Sequence, residues 1–388
     1  MALRCNPAKG NPGRKGPLVV FFLACCLSIF GALPLVALSG DVQVSPPAQP
    51  PLLNFACELD TVSLQALFAD PSVIPDLQAL HAGVTLALGD FSPERADIVR
   101  RLNHAGIPVT AWLAIPKDQG YYLNLSNEPQ AAQRFAAFQK WTTDNGLHWS
   151  AIGLDIEPNI QEFAAVRDHK LRFAFTLLKR YFEFGMVTQA RREYSTLIHK
   201  MQTYGYTVET YQFPFIADER AAHTTVLERL FGLVDVRGNL EALMLYTSFN
   251  HSMDSALIWV YGPEAQVIAV GSTRSDPAFD AKFPPLSWDE FSRDLLVAGH
   301  FSHSVGVYSL EGCVHRGFLT RLRSMDWNRS VLIPGEAIQK AQLLRRRFHR
   351  ALWLATNLPW LVLIALALII VWFWRRRVNR SLAAARRT

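Results

Sequence analysis

From Leu53 onward the chain alternates between short apolar runs rich in β-type residues and longer stretches with helical spacing of apolar positions. The short runs predict strands at Leu53–Cys57, Val84–Leu88, Pro108–Ala114, Ala151–Ile156, Thr207–Phe213, Ala242–Thr247, Val267–Gly271 and Val305–Ser309. Between them, Pro93–Ala105 reads as a helix that opens behind Ser92, a suitable N-cap, and stops before Gly106. Gln130–Asn145 runs to Gly146, Asn159–Tyr204 is long enough for two helices broken near Gly185, and Thr224–Leu233 and Trp288–Gly299 complete the set. Strand-then-helix repeated eight times over about 280 residues is the pattern of an α/β fold, the (β/α)8 TIM barrel. An open doubly wound sheet shares the alternation, but no Gly-rich phosphate turn follows the first strand.

Two segments depart from this pattern. Arg4, Lys9, Arg14 and Lys15 precede an uncharged apolar run, Leu18–Leu38, which reads as a signal peptide cleaved after Ser39 or as an N-terminal membrane anchor. Near the other end, Ala351–Trp374 is uncharged, long enough to cross a bilayer, and carries Trp353, Trp360, Trp372 and Trp374 for the interfaces. The expected organisation is therefore a signal or anchor over 1–39, a proline-rich linker over 40–51 and a (β/α)8 barrel domain over 52–332. A basic juxtamembrane segment (333–350), a transmembrane helix (351–374) and a basic cytoplasmic tail (375–388) follow. Export by the first segment places the barrel on the extracytoplasmic or periplasmic side of a cell membrane.

Composition agrees. Of 388 residues, 50% are hydrophobic and 19% charged, which excludes a disordered chain. The net charge of +6 comes from the ends: four of the 39 Lys and Arg lie in Met1–Pro17 and eleven in Lys340–Thr388, where there is no Asp or Glu. The middle keeps 24 basic against all 33 acidic residues, a balance of −9, which disfavours nucleic acid as a partner. Of the five cysteines only Cys57 and Cys313 fall in the barrel, and closing it would bring the first and last strand ends together. A disulfide stapling that seam is expected in an exported domain. No zinc-type Cys/His cluster occurs, and no metal or other cofactor is implied.

In such a barrel chemistry sits at the carboxyl ends of the strands. The fourth strand ends Leu154-Asp155-Ile156-Glu157-Pro158, and strand alternation puts Asp155 and Glu157 on one face. Two carboxyls entering an apolar mouth repel each other, so one keeps its proton, as a general acid for a glycosidic oxygen requires. Glu58 and Asp60 after strand one, Asp90 after strand two and Glu209 in strand five are further carboxyls for the same mouth. Glu311, after strand eight, is the preferred second catalytic carboxylate. Trp112 in strand three, with Tyr121 and Tyr122 in the following loop, suits a stacking platform for a sugar ring.

The fourth-strand segment resembles the signature of glycoside hydrolase family 18, the chitinase-like barrels, which ends Asp-x-Glu. Met244-Leu245-Tyr246-Thr247 resembles that family's sixth-strand Met-x-Tyr-Asp. The resemblance implies Glu157 as acid/base, Asp155 as the carboxylate that assists a substrate acetamido group, and Tyr246 as its hydrogen-bond partner. Gly153 and Thr247 stand where the family has Asp, and no Trp ends strand eight. Family 25 lysozyme-like barrels share Asp-x-Glu at this place. Glu157-Pro158 is similar to the Asn-Glu-Pro of another glycosidase clan, but Ile156 replaces the Asn and strand seven lacks that clan's Glu. The functional expectation is a membrane-anchored hydrolase of an extracytoplasmic polysaccharide, with a non-cleaving glycan- or partner-binding barrel and a component of envelope polysaccharide assembly as alternatives.

Overall fold

The computed structural model describes residues 40–159, 170–275, 280 and 282–385. The expected signal or anchor segment lies outside the described residues, as do residues 160–169 at the start of the long helical stretch. The strands are β1 Val42–Val44, β2 Leu52–Cys57, β3 Gly83–Ala87, β4 Val109–Trp112, β5 Ala151–Asp155, β6 Thr207–Gln212, β7 Leu240–Met244, β8 Val267–Gly271, β9 Ser304–Tyr308 and β10 Val331–Ile333. The helices are α1 Thr61–Ala69, α2 Val73–Ala79, α3 Pro93–His104, α4 Glu128–Asn145, α5 Lys170–Tyr181, α6 Phe184–Thr203, α7 Phe215–Ala221, α8 Val226–Phe231, α9 Ala256–Tyr261, α10 Trp288–Phe301, α11 Leu310–His315, α12 Phe318–Leu322 and α13 Gly335–Ala385.

Strands β2 to β9 form a closed barrel in sequence order, every neighbouring pair parallel. The ring closes where β2 meets β9, with Phe55 opposite Val307. Each barrel strand buries its outward face, and β3, β4 and β5 bury both. Phe55, Leu86, Ile152, Val208, Leu243 and Val270 are fully buried in the main hydrophobic cluster beneath the helices, while alternate residues turn into the barrel. Local chemistry sets the helix ends. Ser92 caps α3 by accepting from the Arg95 amide, Ser287 and Glu290 form a capping box on α10, and α4 ends at Gly146, whose φ of 60° is costly for any other residue. The long stretch breaks between α5 and α6 at Phe182 and Glu183, two residues before Gly185.

The segments on either side of the barrel are not free spacers. β1, from the proline-rich stretch, pairs antiparallel with β10, at the boundary between the expected barrel and juxtamembrane segments. The prolines then lie on α10: a Cβ at Gly299 would sit 3.2 Å from Pro51 Cγ and 3.4 Å from Pro47 Cβ. α13 is one helix of 51 residues whose first part is docked on the barrel. Ala337, Ile338 and Ala341 join the main core, and Phe348 packs against Phe215 with ring centroids 5.4 Å apart and planes tilted by 48°. At the centre of this contact Asp218, fully buried, accepts from Arg345 Nε at 2.7 Å and Tyr261 Oη at 2.6 Å, and lies 2.7 Å from His349 Nε2. From Leu358 to Trp374 the helix is exposed, apolar and long enough to cross a membrane.

The expected disulfide is absent. Cys57 and Cys313 are both buried free thiols. Cys313 lies not at a strand end but in α11, which turns its Sγ to 3.6 Å from Thr273 Oγ1, while the Cys57 thiol hydrogen-bonds Glu311. The seam is held by parallel strand pairing instead.

Removing the Asp218 carboxylate leaves the buried Tyr261 hydroxyl without its acceptor and Arg345 and His349 without their shared carboxylate, a loss on the order of 3 kcal/mol. The Asp218→Ala chain should show faster amide hydrogen exchange across 341–352, with the exchange of β2 to β5 unchanged.

Candidate functional site

The carboxyl end of β5 is prolonged by the loop that follows β4. Leu123 donates its amide to the Asp155 carbonyl at 3.0 Å and accepts from the Glu157 amide at 3.1 Å, so Glu157 is held in extended register beyond the strand proper. That loop is pinned from behind. Asn127 Oδ1 accepts from the Asn124 amide at 2.8 Å and from Tyr194 Oη on α6 at 2.9 Å, and Asn127 Nδ2 donates to the Tyr122 carbonyl at 2.9 Å. Tyr121 and Tyr122 are thereby fixed at the mouth, their rings edge to face at 4.8 Å.

The inward residues of the barrel converge on one pocket, lined at its open end by Glu58, Trp112, Tyr122, Asp155, Glu157, Tyr246 and Tyr308, with Glu209 and Tyr211 deeper. Glu58 is clamped on both oxygens: Tyr121 Oη donates at 2.7 Å and Tyr308 Oη at 2.8 Å, with Arg274 Nη1 3.9 Å away. Tyr246 stacks on Tyr308 with centroids 5.7 Å apart. Among the described residues, two polar atoms of pocket-lining side chains have no partner, the Trp112 Nε1 donor and the Asp155 Oδ1 acceptor.

Asp155 and Glu157 are buried, 4% and 6% exposed, and the charges that act on them are negative. Burial, and then Glu58, push the Asp155 carboxyl well above the ordinary range. Burial, then Asp155 and Glu58, do the same to Glu157. The pair therefore keeps a proton at pH values where a free carboxyl has lost it. Burial and the same carboxylates also raise the Tyr246 phenol, which stays neutral and able to donate.

Two departures from the family pattern have steric and polar explanations here. A Cβ at Gly153 would lie 2.7 Å from Tyr211 Cε2 and 2.8 Å from Tyr211 Oη. The Tyr211 ring, tied to Glu209 at 2.8 Å, fills the layer that an Asp side chain would need. Thr247 is past the end of β7, in a short turn, and donates to buried Asp294 on α10; Ser255 also donates to Asp294, at 2.6 Å. Burial pushes Asp294 up to about 6. Thr247 is thus tied behind the mouth.

Other sequence candidates lie elsewhere. Asp60 caps α1 through the Ser63 amide, and Asp90 binds fully buried Arg95 at 2.9 Å and Thr61 Oγ1 at 2.7 Å; neither lines the pocket. Glu311 is buried in α11 behind Glu58, 3.4 Å from Arg274 Nη1, and is also absent from the pocket wall. Tyr308 and Arg274 were not among the candidates. Tyr308 had a readable signal, an inward phase at the carboxyl end of the last strand; Arg274 sits in a loop and had none. Among the described residues no three His, Cys, Asp or Glu side chains are grouped to hold a metal ion.

Two outcomes are expected. Gly153→Ala should destabilise the chain by about 1–3 kcal/mol through overpacking, and by less in a Tyr211→Ala background, as denaturant unfolding of the four chains of the double-mutant cycle will show. The raised Glu157 group binds its proton more tightly folded than unfolded. It therefore favours the fold below the ordinary carboxyl pKa of about 4.3, and that contribution is lost as pH rises through the native value. Glu157→Gln should accordingly gain stability relative to the unsubstituted chain between pH 5 and pH 8, by about 1.4 kcal/mol for each unit of elevation titrated in that window. An identical difference at both pH values would mean that Glu157 titrates as a solvated carboxyl.

No family model matches this chain, and no curated protein sequence does. The family 18 resemblance accordingly rests on the motifs of β5 and β7 alone. Among solved structures, the glycoside hydrolase domain of PgaB (BpsB) from Bordetella bronchiseptica is similar at 11% identity and a TM-score of 0.43, over 71% of this chain and 98% of that one. Saccharomyces cerevisiae Gas2p in complex with laminaripentaose is similar at 13% identity and a TM-score of 0.36, over 80% of this chain and 69% of that one. The same yeast protein with laminaritriose and laminaritetraose gives 12% identity, a TM-score of 0.36, and 80% and 68% coverage. At such distances the likenesses say nothing of this chain's site.

Proposed function

We propose that this chain is a glycoside hydrolase anchored to a membrane by α13, acting on an extracytoplasmic polysaccharide with Glu157 as general acid/base. The observation that carries the reading is the Asp155–Glu157 pair. The two carboxyls are buried together at the carboxyl end of a closed barrel, with no cation among the described residues lowering either of them, beside a Trp112 donor and an Asp155 acceptor that no described residue partners. A sugar supplies both hydroxyl donors and acceptors for those atoms, and the Trp112, Tyr122 and Tyr246 rings suit its apolar faces.

In this mechanism protonated Glu157 gives its proton to the glycosidic oxygen as the bond to the anomeric carbon breaks. Water then delivers hydroxide to that carbon and returns a proton to Glu157, so the acid is regenerated. Asp155, kept close by the extended register, holds the reacting sugar through the oxygen that no protein group satisfies. Tyr246 donates to the same sugar. Glu58, clamped by Tyr121 and Tyr308, supplies the fixed negative charge that keeps the proton on its neighbours. We assign the supporting carboxylate role to Glu58 rather than Glu311, because Glu58 lines the pocket and Glu311 does not.

A second reading, a barrel that binds glycan without cleaving it, is favoured by one feature. Tyr211 fills the layer below the pair where the related motif has a carboxylate. Purified full-length chain assayed on amino-sugar polymers and neutral glucans separates the two. The hydrolase reading expects turnover that falls by about 10²–10⁴ in Glu157→Gln with glycan binding retained. Binding without turnover, unaltered by the substitution, selects the second reading.

A further inference from the structure

The docked part of α13 climbs the barrel from the amino ends of the strands to their carboxyl ends. Arg345 pairs with Glu264, three residues before β8 begins, and donates to the Val260 carbonyl at 3.1 Å. Phe348 packs against Phe215, and Leu352 is buried in a cluster with Phe213 and Phe215, just beyond the carboxyl end of β6. Ala355 then accepts from Tyr181 Oη at the end of α5, and Thr356 donates to Thr224 Oγ1 at 2.8 Å. From Arg345 to Thr356 the helix rises about 16 Å, close to the length of a five-residue strand, so its axis runs broadly along the barrel. The apolar, exposed stretch from Leu358 to Trp374 therefore leaves from the face that carries the pocket. Pro359 lies at that exit, and a proline kink of a few tens of degrees does not reverse the direction.

A second observation lies beside the exit. The α5–α6 junction, next to the Tyr181–Ala355 contact, exposes Leu178 (58%), Phe182 (59%), Phe184 (58%) and Met186 (38%). A cluster of large apolar side chains on a helix-to-helix turn has no reason to face water, and it is continuous with an apolar helix suited to a bilayer. The Arg229 guanidinium covers the Phe184 ring at 4.0 Å, and Trp353 and Trp360 flank the exit on α13, an arrangement that suits the headgroup layer.

We propose that the carboxyl-end face of the barrel lies against the bilayer, with Phe182 and Phe184 seated among the headgroups, and that the pocket takes a glycan attached to a membrane lipid rather than free polysaccharide. The seating stands on the geometry alone; the choice of ligand rests on the glycosidase reading above.

Full-length chain in lipid nanodiscs tests both parts. A photoreactive benzophenone amino acid is placed at Phe184, at Trp372 as reference within the apolar helix, or at exposed His303 on the opposite end of the barrel. Lipid adducts at 184 and 372 but not at 303 are expected. Adducts at 372 without 184, at 303 as strongly as at 184, or at neither 184 nor 372 overturn the seating. In the second arm, one oligosaccharide is offered either coupled to a lipid in the same bilayer or free in solution. At least tenfold faster cleavage of the coupled form is expected, falling toward equality in Phe182→Ser/Phe184→Ser while cleavage of the free form is unchanged. Equal rates in the unsubstituted chain overturn the ligand assignment. No cleavage of either form, with adducts at 184, sinks the glycosidase reading and leaves the seating intact.

Discussion

A parallel sheet has no free edge only when its last strand meets its first, and in this chain that closure places the chemistry. Because side chains alternate along every strand, joining β9 to β2 turns one residue in two toward the axis, and the ends of β2, β5, β7 and β9 deliver Glu58, Asp155, Tyr246 and Tyr308 to one mouth. Helices cover the outer faces, so the carboxyls enter a medium of low polarity. Burial and mutual repulsion then hold the proton on the Asp155–Glu157 pair.

That arrangement costs stability, and the rest of the molecule offsets it. Tyr121 and Tyr308 hold Glu58, the Asn124–Asn127–Tyr194 network holds the loop that extends β5, and Arg274 lies between Glu58 and Glu311. A mouth with three carboxyls, two of them raised by burial and by each other, is thus held on a rigid frame. The same rigidity continues outside the ring. Asp218 ties α13 to α7 and α9, so the apolar end of the helix and the pocket share one orientation.

The departures from the family motif show why a short signature needs its surroundings. Gly153 and Thr247 look in the sequence like lost carboxylates. In the fold Gly153 is the space that Tyr211 occupies, and Thr247 belongs to a buried contact with Asp294. Each of the two residues packs against a partner far away in the chain, so neither can be read position by position.

Strand and helix periodicity was legible because it depends on neighbours in the chain: all eight barrel strands lie within a few residues of the apolar runs that announce them, and Asp155 and Glu157 share a face because strands alternate. What depended on distant partners was not legible. The β1–β10 ribbon joins short segments about 290 residues apart, Cys57 and Cys313 turn to Glu311 and Thr273 rather than to each other, and Asp60, Asp90 and Glu311 are taken up by local caps and ion pairs. Which carboxyls meet, and which way the pocket faces, follow from strand closure and helix docking, and those long-range packing energies leave no period along the chain.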